Sequence, residues 1–434
     1  MISKYNKFII VFLTVISFSF YITPTSSFQF YQLFLYPITL SVLLFNLIKK
    51  RKIQKNIGNL FLTGLVFIII CLLITAVNSN ETANFLRGIK NLGEPLMILS
   101  LFMFVRKSDL TNDNSELLSV FSKTLITMLV INSIWIFLTM FRDLSVINIY
   151  FWGDGDSVAA RALTNGRYSG IFNQPVESGT IYSIGIFCWY YLSRRKNNIK
   201  SFDMITLILL IVGGTMSVSK IFLFIGLPIF ALLMLQSKVF YKKLFKIAVW
   251  GVVLIFLAKK IGDLWSGTNY LLRFFNSSQN LVNLVTAGRF GENSQQGELF
   301  SGVASHNWLV GGGFGFSEVY DSLYFYFFSV AGAIGFIFLA IIMGNLMNMW
   351  LLSMKKSIYK EESIMLGLMI ILLLAGGFGA PILTLNRVSL IVWLMIGIIY
   401  KGMYLKNYHA KDAAKSTTKN KNLIVKSQVN EITI

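Results

Sequence analysis

The chain has 434 residues, of which 55% are hydrophobic and only 13% charged, and its mean hydropathy is +0.65. Soluble domains carry roughly 25% charged residues, so this composition excludes a soluble globular fold: water leaves nowhere to put so much apolar surface, whereas lipid accepts it. The formal net charge of +20 would suit a nucleic-acid partner, but the charges are distributed as membrane topology requires. Cys71 and Cys188 both fall in apolar stretches, which makes neither a disulfide framework nor a metal site.

Apolar segments close to the spanning length of about 20 residues recur along the chain. They predict twelve helices, at 8–23, 28–48, 57–77, 91–105, 118–141, 175–193, 202–217, 219–236, 244–258, 323–350, 363–381 and 387–404. The first resembles a signal peptide, with Lys4 and Lys7 before an apolar run, but no small-x-small cleavage site follows and it reads as a retained helix. The seventh is short and interrupted by Gly213 and Gly214; the tenth is long and must tilt or bend.

An N-terminus in the cytoplasm puts the basic clusters on one side, as the positive-inside rule demands. Lys49-Lys50-Arg51-Lys52, Arg194-Arg195-Lys196, Lys238, Lys242, Lys243, Lys355-Lys356 and the tail lysines then all face inward. Two long outer loops, 142–174 and 259–322, hold seven basic residues: Arg142, Arg161, Arg167, Lys259, Lys260, Arg273 and Arg289. Residues 1–404 read as a single polytopic domain with both termini cytoplasmic. The Lys/Asn/Thr/Ser-rich tail, 405–434, lacks periodicity and reads as disordered against anionic headgroups.

Transporters carry ionisable residues at mid-depth. Here Lys123, Lys220, Lys246 and Arg387 stand near helix ends, where they could snorkel. Polar complexity concentrates in the outer loops, which favours chemistry at the outer membrane face. In the first loop Arg161 and Arg167 can clamp a phosphate bidentately, or pair with the acidic run Asp154–Asp156. Pro175 suits the first position of the following helix. In the second loop, apolar residues at helical spacing from Asn269 to Val285 predict amphipathic surface helices. A polar stretch and the glycine run Gly311-Gly312-Gly313 follow, the latter a flexible turn unsupported as a nucleotide-binding loop. His306 reads as either a polar loop residue or a catalytic one. Asp321, at a membrane boundary, is costly unless paired or facing water.

Together these segments resemble the bacterial O-antigen polymerase and O-antigen ligase superfamily. The resemblance rests on Arg167 through Gly179 (RYSGIFNQPVESG), Ser217-Val218-Ser219-Lys220, Gly288-Arg289, Gly313-Phe314-Gly315, Asp321-Ser322-x-Tyr324 and Gly332-x-x-Gly335. The patterned region covers about 165–340. Ligases usually carry His-Asn where this chain has Asp321-Ser322, which leans the resemblance towards polymerase.

The resemblance implies an all-α, GT-C-like membrane enzyme with two long extracytoplasmic loops in the bacterial inner membrane. It implies glycosyl transfer from undecaprenyl-pyrophosphate-linked oligosaccharide, building a surface polysaccharide with inversion and with neither a metal nor another cofactor. Arg289, Asp321 and His306 would be catalytic. Arg161, Arg167, Lys220, Asn173 and Arg273 would hold pyrophosphate and glycan. Partners would be the lipid-linked substrates, a chain-length regulator and a flippase, with no nucleic acid. The alternatives are an O-antigen ligase acting on lipid A-core and a lipid-linked oligosaccharide flippase.

Overall fold

The computed structural model describes residues 2–23, 29–78, 82–105, 116–196, 200–235, 267, 295–314 and 322–431. These are almost wholly helical. In chain order the helices are α1 (Ile2–Ile16), α2 (Phe30–Ile48), α3 (Lys55–Asn78), α4 (Thr82–Met103), α5 (Leu117–Phe141), α6 (Ser145–Trp152), α7 (Val158–Leu163), α8 (Pro175–Arg194), α9 (Ser201–Met216), α10 (Leu227–Leu235), α11 (Gln295–Asn307), α12 (Leu323–Met354), α13 (Lys360–Gly376) and α14 (Asn386–Glu431). A π turn, Phe222–Gly226, leads into α10. One short antiparallel ladder joins β1 (Lys52–Ile53) to β2 (Phe104–Val105), pairing Lys52 with Val105 and Ile53 with Phe104.

Among the described residues, five helices are long and apolar enough to cross a membrane: Phe30–Ile48, Lys55–Asn78, Leu117–Phe141, Leu323–Met354 and the Arg387–Ala410 part of α14. Eleven of the twelve expected segments fall on helices, counting the π turn and α10 as one. The ninth, 244–258, lies outside the described residues, as do the expected surface helices at 269–285. Several boundaries differ. α1 ends at Ile16, where Ser17 folds back to donate to the Thr14 carbonyl. α4 starts at Thr82 rather than 91, because its first turns carry Arg87 and Lys90 and are polar. The stretch 142–174, expected as a long loop, is built from α6, α7 and tight turns. α14 continues to Glu431 through the tail expected to be disordered; no proline or glycine after Gly402 stops a helix already rooted in the bundle.

α8 is the central post. Pro175 occupies its first turn, where a missing N–H costs nothing. Nearly every residue from Pro175 to Ser193 is buried, including Ser178, Thr180 and Ser183. Gly179, Gly185 and, on the π turn, Gly226 let neighbours close in: a side chain at Gly185 would strike Leu129 of α5, and one at Gly226 would strike Ser183. α5, α9, the π turn, α10, α13 and α14 surround it.

The long α12 bends as expected, and the cause is specific. Ala331 and Gly332 leave helical geometry, with Gly332 at φ 58° and ψ −141°. The backbone groups freed by the break are bonded by the segment after α11. Trp308 O accepts from Ala333 N (2.8 Å), Gly312 N donates to Ser329 O (2.9 Å) and Gly313 N donates to Val330 O (2.9 Å). Non-helical backbone inside an apolar bundle is tolerated only when buried in protein and bonded in this way. The glycine run is therefore a docked strut rather than a flexible turn. Gly311 (φ 76°) and Gly313 (φ 81°) are left-handed, and Phe314 N donates to Thr75 Oγ1 of α3 (2.7 Å).

A Cβ on Gly332 would stand 2.6 Å from both the Leu309 carbonyl carbon and the Trp308 oxygen. Gly332→Ala is expected to cost about 1–3 kcal/mol or more from backbone strain and overlap, seen as a lower thermal midpoint of the detergent-solubilised protein. Gly344→Ala, with open space around it, leaves the midpoint unchanged.

Candidate functional site

The segment between α5 and α8 folds back onto the bundle through a small set of bonds. Ser157 caps α7, accepting from Ala160 N at 3.2 Å. Gly166 (φ 68°) turns the chain and Arg167 N donates to Ala162 O. Tyr168 N then donates to Met216 O (2.9 Å), and Arg167 Nη2 donates to Val218 O (3.3 Å). Gly170 (φ 65°) passes so close to Asn132 that any side chain would overlap its amide. That amide accepts from Ile171 N (2.9 Å) and donates to the Tyr182 hydroxyl (3.1 Å). Burial raises the Tyr168 phenol above its ordinary value, so it remains a donor.

The Arg167–Gly179 segment thus lies against the Ser217–Lys220 junction, although 38 residues separate Gly179 from Ser217. Gly179 packs directly on Ser219. Val218 has φ 46° and is fully buried. A branched residue held in that region stores strain, and such strain gathers at functional sites.

Two buried ionisable residues complete this end of the bundle. Arg387, in the first turn of α14, has no exposed surface. Its Nη1 donates to Ile171 O (2.8 Å) and its Nη2 to Ser19 O (2.6 Å) and Phe151 O (3.0 Å). The guanidinium also lies 5.8 Å from the centroid of the Tyr21 ring. Glu177, one turn into α8, is equally buried and accepts from Asn173 N (3.2 Å) within electrostatic reach of Arg387. Asn173 Nδ2 donates to Tyr21 Oη (3.0 Å). Around them, Glu177 Oε1, Asn173 Oδ1, Ser178 Oγ, Ser219 Oγ and Arg387 Nε are buried with no hydrogen-bond partner among the described residues. Native folds rarely leave such groups unpaired, and here they gather where two motif segments meet.

The sequence-derived residues divide accordingly. Arg167, Asn173 and Lys220 belong to this cluster of segments; Lys220 is half-buried beside Ser219. Arg161 sits on the exposed face of α7, in the same loop. His306 lies in α11, one residue before its end. Arg273, Arg289 and Asp321 lie outside the described residues. Asp154 accepts from Asp156 N (3.2 Å), a local turn on an exposed stretch.

Two expectations need correction. Arg387 does not snorkel; it is the most deeply held cation of this end, because three carbonyls from separate segments converge on it. Charge inside the bundle is also less scarce than the apolar pattern implied. Besides Glu177, Glu94 of α4 is 2% exposed and takes hydrogen bonds from Tyr31 Oη (2.8 Å), Tyr36 Oη (3.2 Å) and Gln32 Nε2 of α2. Each acid is the lone carboxylate near the start of a segment whose remainder is apolar, so hydropathy averages hid it. The available signal was the position of Glu177 inside RYSGIFNQPVESG itself.

An apolar crevice between α3, α4, α12 and α14 adjoins this end, lined by Leu60, Phe67, Leu96, Phe327, Leu383 and Trp393 among others. Leu383 and Thr384, four and three residues before Arg387 in the chain, also line it. No protein-family model, curated protein or solved structure matches the chain.

Removing the Arg387 side chain leaves three buried carbonyls without their donor and Glu177 without its nearby cation. Arg387→Ala is expected to cost about 3–5 kcal/mol, read as lost folded protein on size exclusion. Arg387→Lys, which cannot span three acceptors with a planar fork, should fall between the two.

Proposed function

We propose that the chain is a glycosyltransferase of the O-antigen polymerase type, a GT-C-like protein of about twelve spans in a bacterial inner membrane with both termini cytoplasmic. It would join undecaprenyl-pyrophosphate-linked repeat units into a surface polysaccharide at the outer face. The single observation that carries this reading is that two of the resembling segments, Arg167–Gly179 and Ser217–Lys220, meet in space around buried Glu177 and Arg387. The neighbouring apolar crevice supports it further, since the substrate pairs a polyanionic head with an isoprenoid tail.

In the proposed reaction a hydroxyl oxygen of the acceptor sugar attacks the donor's anomeric carbon from the face opposite the pyrophosphate. The new glycosidic bond forms as the bond from that carbon to the pyrophosphate oxygen breaks. Undecaprenyl pyrophosphate leaves with the electron pair, and the hydroxyl proton passes to a carboxylate. Charge grows on the leaving oxygen, where fixed cations stabilise the transition state more than the ground state. Arg289, Arg167 and Arg161 would supply that charge, with Lys220, Arg273 and Asn173 holding pyrophosphate and glycan. Asp321 would orient or deprotonate the acceptor, with His306 as a further candidate. A chain-length regulator and a flippase would act with it.

A lipid-linked oligosaccharide flippase is the second reading, and Glu94 favours it. A carboxylate held by neutral donors between two helices is the kind of group a transport cycle titrates.

The purified protein, given its cognate polyprenyl-pyrophosphate repeat unit, should produce a ladder spaced by one unit. Arg167→Ala and Arg289→Ala should each lower the rate about 10²–10³-fold at unchanged folding. No new glycosidic bond would discard the polymerase. Headgroup translocation in proteoliposomes that is lost in Glu94→Gln would then establish the flippase, and transfer to a supplied lipid A-core acceptor would establish a ligase.

A further inference from the structure

The end of the bundle opposite the candidate site carries most of the basic residues among those described, and the helix ends there are cross-linked by ion pairs. Lys406 reaches Glu362 (2.7 Å), Lys196 reaches Asp203 (2.6 Å) and Arg195 reaches Glu361 (3.6 Å). Arg195 also donates to the Tyr191 hydroxyl (3.0 Å) and lies over that ring. The carboxylates of this region are therefore each engaged by a cation.

Two cations remain in excess beside a crevice. Arg194, the last residue of α8, is exposed, with its guanidinium 5.7 Å from the centroid of the Tyr190 ring. Lys360, the first residue of α13, is exposed as well. Neither has a carboxylate partner among the described residues. The crevice beside Arg194 is lined by Tyr190, Tyr191, Arg194, Glu361, Ile364 and Met365, and Lys360 immediately precedes Glu361 in the chain. Its rim carries Arg194 together with Glu361, which Arg195 pairs, and its walls are two tyrosines beside the apolar Ile364 and Met365. Beside it Ile358 is an exposed apolar residue, 45% accessible.

We propose that this crevice, between the last turn of α8 and the first turns of α13, binds one anionic glycerophospholipid. The phosphodiester sits against Arg194 and Lys360, and an acyl chain follows Ile364 and Met365. Three features select that ligand class. The rim carries uncompensated positive charge, which a zwitterionic headgroup satisfies less well. Arg194 offers a planar fork suited to two phosphate oxygens, already oriented by stacking on Tyr190. The floor is apolar, which a free phosphate cannot use and an acyl chain can. Basic pockets between helices near a membrane surface take acidic headgroups for these reasons. A lipid bridging α8 to α13 would brace the central helix from the end remote from Glu177. The inference does not depend on the enzymatic reading.

The test uses the full-length protein in a neutral detergent. Dioleoyl-phosphatidylglycerol should raise the thermal midpoint by several degrees, as expected for a ligand that binds only the folded state. Dioleoyl-phosphatidylcholine and inorganic phosphate should not. Arg194→Glu should weaken the phosphatidylglycerol effect about fivefold or more in apparent affinity, the loss of at least one headgroup contact. Equal shifts from the two lipids, a shift from phosphate alone, or an undiminished response in Arg194→Glu would each overturn the proposal. A photoactivatable phosphatidylglycerol on the unmutated chain keeps the test open if that variant folds poorly. Labelling within 190–194 or 360–365 supports the site, and labelling only elsewhere refutes it.

Discussion

The Arg387 guanidinium is the contact on which the organised end of this protein depends. It ties the chain after α1 (Ser19), the end of α6 (Phe151) and the loop before α8 (Ile171) to the start of α14. None of these segments is a regular spanning helix at that point. Their carbonyls would face an apolar interior without water, and each unpaired buried acceptor is costly. One side chain with several fixed donors meets that need for three segments at once. The cost is a desolvated cation at a helix N-terminus, where the aligned peptide dipoles already make the potential positive. Glu177 within electrostatic reach, and the three carbonyl dipoles, offset it. The arrangement explains why an acid and a base can both stand at zero exposure in so apolar a chain.

A second constraint has the same logic with backbone alone. The break in α12 at Ala331–Gly332 frees donors and acceptors that the helical ladder would otherwise use, and residues 308–313 satisfy them. Gly311 and Gly332 approach so closely that a Cβ on either would strike the other's backbone. Phe314 then anchors on Thr75 and packs over Gly88. The segment that carries His306 is thereby fixed to α3, α4 and α12 by its C-terminal end.

These two constraints also explain what could be read from the sequence. Spanning helices announce themselves by apolar length, and the segments at 28–48, 57–77 and 118–141 emerged within about three residues of the observed bounds. Position within the bundle does not announce itself. α8 is rich in Ser, Thr, Tyr and Gly and is less apolar than its neighbours, yet it is the most enclosed helix, because small residues allow the closest packing. The long-range partners of Arg387 lie 216, 236 and 368 residues away, and local patterns cannot encode such distances. The glycine run looked like a turn for a related reason: glycine signals permitted backbone geometry, not whether a partner strand or a broken helix will use it. Of the candidate site, Arg167, Asn173 and Lys220 were legible because they belong to recognisable segments, whereas Glu94 and Tyr21 became visible only through their partners on other helices.

The location of the buried charges bears on mechanism. Glu177 and Arg387 stand in the first turns of two helices, and both helix N-termini point into the same region as Arg167. Three sources of positive potential therefore converge, two of them fixed partial charges that need no reorganisation when an anion arrives. A lone carboxylate, Glu177, opposes them and is positioned by Asn173 N rather than by an ion pair within contact distance. The opposite end instead pairs its charges in direct contact, with Lys406–Glu362 and Lys196–Asp203. Here Glu177 Oε1, Ser178 Oγ, Ser219 Oγ and Asn173 Oδ1 have no hydrogen-bond partner among the described residues. Preorganised polarity of that kind costs stability in the folded protein.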